Sequence, residues 1–234
     1  MRNEMIHAWL DLAAVVVGAL AGVLVAQERK LDLVGYVGMC IICALGGGLL
    51  RDAIMQVGDV YALNSRWPII LCVITGLVGF VFPSLVKHFP KLYEWVDILS
   101  VALFVVAGAS KALAYELHAS ATILMGVITG VGGGMLRDVF LGEVPHVFKK
   151  SNFYAISALV GSICYYLCVR IANLNPEVAA AITVLAVLVT RRLSLRYNIE
   201  SPTEVGLEDK VRKTKHRITR KLEDKRADEQ KADK

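Results

Sequence analysis

Moved along itself by 86 residues, the chain matches at polar and aromatic landmarks that chance does not align. Trp9 falls on Trp95, Asp11 on Asp97, Gly22 on Gly108 and Met39 on Met125. The block Gly46-Gly47-Gly48-Leu49-Leu50-Arg51-Asp52 then falls on Gly132-Gly133-Gly134-Met135-Leu136-Arg137-Asp138 with no gap. Apolar low-complexity sequence matches itself easily, but not at Trp, Asp and Arg. The chain is therefore read as two copies of one unit.

The unit is a membrane unit. The chain is 56% hydrophobic, against roughly 45–50% for a soluble domain. A helix needs about 20 mostly apolar residues to cross a bilayer. Such runs lie at 8–26, 33–55, 68–86, 96–115, 119–141, 153–171 and 178–195. Each copy holds three of them, an odd number, so the second copy enters from the opposite face. The expected fold is an all-α integral membrane protein of seven transmembrane helices, two inverted three-helix repeats plus a seventh helix. Residues 1–92 form the first repeat, 93–174 the second, 175–195 the seventh helix and 196–234 a charged cytoplasmic tail. The first run also resembles a signal peptide, with Ala19-Leu20-Ala21 as a cleavage site. Its pairing with the fourth run keeps it in the fold. Asn175-Pro176 reads as a cap followed by a first-turn proline. Arg191 and Arg192, at the end of the last run, are expected to snorkel to the interface.

Charge gives the orientation. Basic residues concentrate in the odd-numbered links as Arg29, Lys30, Lys87, Lys91, Lys149 and Lys150. The tail from 191 onward carries 14 Lys and Arg against 9 Asp and Glu, whereas the preceding body is balanced at 12 of each. Basic loops stay cytoplasmic, so the N-terminus is expected outside and the C-terminus inside. The tail is read as a solvated extension near anionic lipid rather than a nucleic-acid arm. Ser201-Pro202-Thr203-Glu204 is a capping box that should start a tail helix running to about Asp228. The five cysteines, Cys40, Cys43, Cys72, Cys164 and Cys168, lie in apolar runs and are read as small hydrophobes.

Inverted repeats are an architecture of solute passage, with sites at the repeat interface. Two features could serve it. Three consecutive glycines late in a span, each costing about 1 kcal/mol against Ala, are expected to loosen or kink the helix. Gly46, Gly47 and Gly48, with Gly132, Gly133 and Gly134, would then line a path with freed carbonyls; close helix packing is the alternative. The second feature is charge within the spans: Asp11, Arg51, Asp52, Asp97, Lys111, Arg137 and Asp138. Matching depths predict the pairs Asp11–Arg51 on the outer side and Asp97–Arg137 on the inner side, and disfavour Arg51–Asp138. These pairs can fix helix ends, gate a path, or both. Lys111, whose counterpart is the uncharged Val25, is open to three readings: gating, countering Asp52, or snorkelling. Gly142-Glu143-Val144-Pro145-His146 reads as a helix stop, with His146 not favoured as a ligand. No nucleophile–base pair or metal-ligand set appears, so an enzyme is the least expected class, and no cofactor is expected.

The doubled Gly-Gly-Gly-x-Leu-Arg-Asp block resembles the bacterial branch of the trimeric intracellular cation channel family. So do Asp32-Leu33-Val34-Gly35 before it, the run from Leu103 to Leu113, and Gly142-Glu143-Val144-Pro145. The resemblance covers roughly residues 8–193. It implies a homotrimer in the bacterial inner membrane, with an hourglass pore in each protomer narrowed at the triplets. The implied permeant is K+ or Na+, with membrane lipid as the other partner. Lys111 matches a family lysine implied in gating or voltage response. The first repeat departs after Arg51-Asp52, so its mouth is less securely matched. Some bacterial members are instead associated with glycine transport, which keeps a secondary transporter of glycine or a similar zwitterion as the alternative.

Overall fold

The computed structural model describes residues 2–83, 92–149 and 153–199. Seven long helices make up the fold, and no strand occurs among the described residues. They are α1 (Arg2–Glu28), α2 (Leu33–Met55), α3 (Arg66–Val81), α4 (Leu92–Ala114), α5 (Ala119–Phe140), α6 (Tyr154–Tyr166) and α7 (Pro176–Arg196). A short helical turn, Tyr61–Asn64, precedes α3, and a π-helical turn, Leu167–Ile171, extends α6. Counting α6 with its extension, six of the seven are long and apolar enough to cross a membrane, and α3 is shorter, at 16 residues. At 1.5 Å per residue α3 spans about 24 Å. The stretch expected to complete it, 84–86, lies outside the described residues, as does the expected tail helix at 201–228.

The helix ends follow the local sequence. Asp32 caps α2 by accepting the Gly35 N–H at 2.8 Å. Asn175 caps α7, accepting the Glu177 N–H at 3.1 Å with Pro176 in the first turn, as the sequence indicates. The repeat reaches down to turn geometry. Lys30 after α1 and Glu116 after α4, 86 residues apart, both adopt the left-handed region at φ 52° and 56°. The next residue of each, Leu31 and Leu117, donates its N–H back to Ala26 and Ala112 at 3.0 and 3.1 Å.

Packing repeats too. The α1–α2, α2–α3 and α1–α3 contacts recur as α4–α5, α5–α6 and α4–α6, while α1 meets α4 and α2 meets α5 across the pseudo-twofold axis. In lipid the hydrophobic effect does not drive helix pairs together, so close approach depends on small residues. Gly22 and Gly108 supply it in equivalent places: a methyl on Gly22 would lie 2.6 Å from Cys40 Cα, and one on Gly108 2.6 Å from the Met125 carbonyl. Helix α7 has no counterpart and packs chiefly on α6 and α4 of the second repeat.

Candidate functional site

The glycine triplets do not interrupt their helices. Both α2 and α5 run as continuous α-helix through them, so the expected freeing of backbone carbonyls is not what the structure shows. The reason lies in packing. The triplets are where α2 and α5 cross, and the missing side chains let the two backbones touch. A methyl on Gly47 would sit 2.2 Å from the Thr129 carbonyl, one on Gly133 2.6 Å from the Cys43 carbonyl, and one on Gly132 3.0 Å from Gly47 Cα. Gly46 faces Leu136 in the same crossing. The third glycine of each triplet is different. Gly48 and Gly134 turn toward the arginine one helical turn on, with Cβ positions 3.9 Å from Arg51 Nη2 and 3.8 Å from Arg137 Nη2.

Those arginines organise two charge clusters. In the first, Arg51 is 1% exposed. Its Nε donates to Asp52 Oδ1 at 2.7 Å, and its Nη1 donates to the Ala107 carbonyl at 3.4 Å and lies 3.8 Å from Asp11 Oδ1. Lys111 Nζ reaches Asp52 Oδ1 at 2.8 Å and donates to the Asp59 carbonyl at 2.9 Å. The other Asp52 oxygen accepts the Tyr61 N–H at 3.0 Å. Burial, then the nearby Asp11 charge, pushes the Tyr61 phenol up to about 12, which keeps it neutral.

The second cluster repeats this plan. Arg137 Nε donates to Asp138 Oδ1 at 2.9 Å, and its Nη1 lies 3.5 Å from Asp97 Oδ1. Asp138 Oδ2 accepts the His146 N–H at 2.8 Å and faces His146 Nδ1 at 2.9 Å. Charges at membrane depth are costly unless paired, and each carboxylate here has a cation. Both pairs expected from depth are present, Lys111 counters Asp52, and no ion pair among the described residues joins one cluster to the other.

Several contacts were not legible in the sequence. The Arg–Asp neighbours bind each other, although consecutive helix residues do not normally face. His146 joins the second cluster through a half-exposed side chain. Of the two arginines expected to snorkel, Arg192 is exposed, 2.6 Å from Glu94 and over the Trp95 ring. Arg191 instead stacks 5.1 Å over the Tyr154 ring at the edge of the second cluster. Gln56 and Gly142 both turn the chain in the left-handed region, at φ 52° and 71°. The first mouth therefore reverses as the second does, despite its divergent sequence.

A small cavity adjoins each cluster. The first, about 20 Å³, is lined by Asp11, Ala44, Gly48, Arg51 and Thr129 among others. The second, about 10 Å³, is lined by the counterparts of these five, Asp97, Gly130, Gly134, Arg137 and Cys43. Each has room for about one water. Thr129 and Cys43 change sides: each lines the cavity of the other repeat. The arrangement sets a charge-bearing cavity on either side of a helix crossing.

Comparison with known proteins agrees with this geometry. The family model described as Glycine transporter matches residues 8–84 and again 94–170, segments that begin 86 residues apart. The UPF0126 inner membrane protein YadS of Escherichia coli K12 is 29% identical over 200 residues, covering 85% of this chain and 96% of that protein. A UPF0126 membrane protein of Vibrio cholerae is 32% identical over 202 residues, covering 83% and 81%. Among solved structures, the trimeric intracellular cation channel orthologue from Rhodobacter sphaeroides superposes with a TM-score of 0.75 at 25% identity, over 83% of this chain and 99% of that one. A prokaryotic channel of the same kind, crystallised in 0.5 M KCl, gives 0.74 at 26% identity, over 83% and 98%. This chain, a multi-pass membrane protein, belongs to the Glycine transporter (UPF0126) family and has the fold of the bacterial trimeric intracellular cation channels.

Proposed function

We propose that this chain is a monovalent-cation channel of the bacterial inner membrane, acting as a homotrimer with one path through each protomer and K+ or Na+ as the permeant ion. The observation that carries the reading is the pair of charge-lined cavities on either side of the α2–α5 crossing. The solved neighbours, which are cation channels, support it. Residues 1–92 and 93–174 are the inverted halves, 175–195 the added helix and 196–234 a cytoplasmic extension. The basic odd-numbered links favour an N-terminus outside and a C-terminus in the cytoplasm. The first cluster then faces out and the second faces in. Gly48, Gly133 and Gly134 line the path, and Gly46, Gly47, Gly132 and Gly133 hold its walls together. Asp11, Arg51, Asp52 and Lys111 set the outer field, and Asp97, Arg137 and Asp138 the inner one. Membrane lipid is the other partner.

A second reading, passage of glycine, is favoured by the description of the matching family model. It also fits the presence of carboxylate and guanidinium in each cluster, which suits a zwitterion. Purified protein in a planar bilayer with KCl separates the two. A channel gives unitary currents that reverse at the K+ equilibrium potential. Saturable glycine counterflow in vesicles, without unitary events, would overturn the channel reading.

A further inference from the structure

Among the described residues, Phe104 alone lines both cavities. It sits in the middle of α4 and is 6% exposed. The five paired lining positions named above obey the pseudo-twofold relation; this one breaks it. The counterpart of Phe104 is Gly18 on α1. A methyl on Gly18 would lie 3.0 Å from the Phe104 ring and 2.8 Å from Ala44 Cα. The space that two side chains would share about the axis is therefore filled by a single aromatic ring. On one side of it stand Asp11 and Arg51, on the other Asp97 and Arg137. Apolar constrictions between wet chambers stop ions by excluding water.

We propose that Phe104 is the permeation barrier of this protein. Its ring keeps the two cavities apart, and swinging it aside joins them into one polar route. Gly18 is the complementary half of the device, leaving the ring its seat against α1. The inference deepens the channel reading and rests on it for the identity of what passes. The barrier itself is a statement about water access, which can be read without any current.

The experiment uses the full chain and the variants Phe104→Ala and Phe104→Leu in two assays. In planar bilayers with KCl, the resting current of Phe104→Ala is expected to rise by about tenfold over the unsubstituted protein, with Phe104→Leu between them. In proteoliposomes, a membrane-impermeant cationic thiol reagent is added on the side of the Asp11–Arg51 cluster. Modification of Cys43, which lines the far cavity, is then followed by mass spectrometry. Cys43 labelling is expected to speed up by about tenfold in Phe104→Ala, while Cys72, which is buried and lines neither cavity, stays unlabelled. Phe104→Leu, close in volume, serves if the alanine variant does not fold, and unfolding curves check both. If the unsubstituted protein conducts and neither assay responds to the substitutions, the barrier inference is overturned and the channel reading stands. If the unsubstituted protein carries no current but Cys43 becomes accessible in the variants, the barrier stands and the channel reading falls. If there is neither current nor a change in labelling, both are overturned.

Discussion

The clusters around Asp52 and Asp138 are built from the same parts at the same register, and they separate at the second side-chain partner of the carboxylate. At Asp52 it is Lys111, sent from the neighbouring helix α4, with its side chain 17% exposed. At Asp138 it is His146, sent from the turn after α5, half-exposed. The common parts are an arginine bonded to its sequence neighbour, a second aspartate from the preceding helix, and a backbone N–H closing the turn. The difference teaches what the fold requires and what it leaves free. The fold requires each buried carboxylate to be matched, while the residue that completes the match, and its exposure, differ between the two ends.

Replacing the arginines tests this most severely. Breaking a buried ion pair from one side costs about 3–5 kcal/mol, and we expect Arg137→Met to reach that range. Arg51→Met should cost less, because Lys111 remains on Asp52. Chemical unfolding in detergent micelles measures both, and equal losses would break the comparison.

The second partners come next. Lys111→Met removes a charge-assisted bond in a buried site and should cost about 1.5–3 kcal/mol. His146→Ala, at a half-exposed position, should cost about 0.2–1 kcal/mol. A reversed order in thermal unfolding would show that exposure does not govern the difference. The glycines then separate walls from lining. Gly47→Ala and Gly133→Ala press a methyl onto a backbone carbonyl and should each cost about 1–3 kcal/mol. Gly48→Ala meets nothing closer than 3.9 Å and should stay within about 0.5 kcal/mol. Gly134→Ala should be worse than Gly48→Ala, since its methyl would lie 2.6 Å from the Tyr154 hydroxyl. The smallest effect belongs to Arg29, whose exposed pairing with Glu143 joins the two halves. Arg29→Ala should cost no more than about 1 kcal/mol, and less as salt is raised.

Much of this was legible in the residues. Matching depth of charge within two copies of one unit was enough to predict Asp11–Arg51 and Asp97–Arg137, because antiparallel neighbours bring the start of one helix beside the end of the next. The triplets misled for a physical reason. Helix propensity disfavours three glycines, but it does not count what a neighbouring helix gains by approaching to backbone contact, and here that term wins. The roles of Tyr61 and His146 were hidden because a carboxylate that caps a later turn depends on how the chain folds back, not on spacing along one helix. Phe104 had no signal of its own; only the comparison of cavity linings with the repeat singles it out.

The adjacency of Arg51 with Asp52, and of Arg137 with Asp138, has a consequence for biogenesis. Each arginine is bonded to the very next residue, so a helix entering the bilayer brings its own counterion and needs no partner helix to be neutralised. In both copies, which cross the bilayer in opposite directions under the orientation proposed above, the arginine finds a counterion within its own helix.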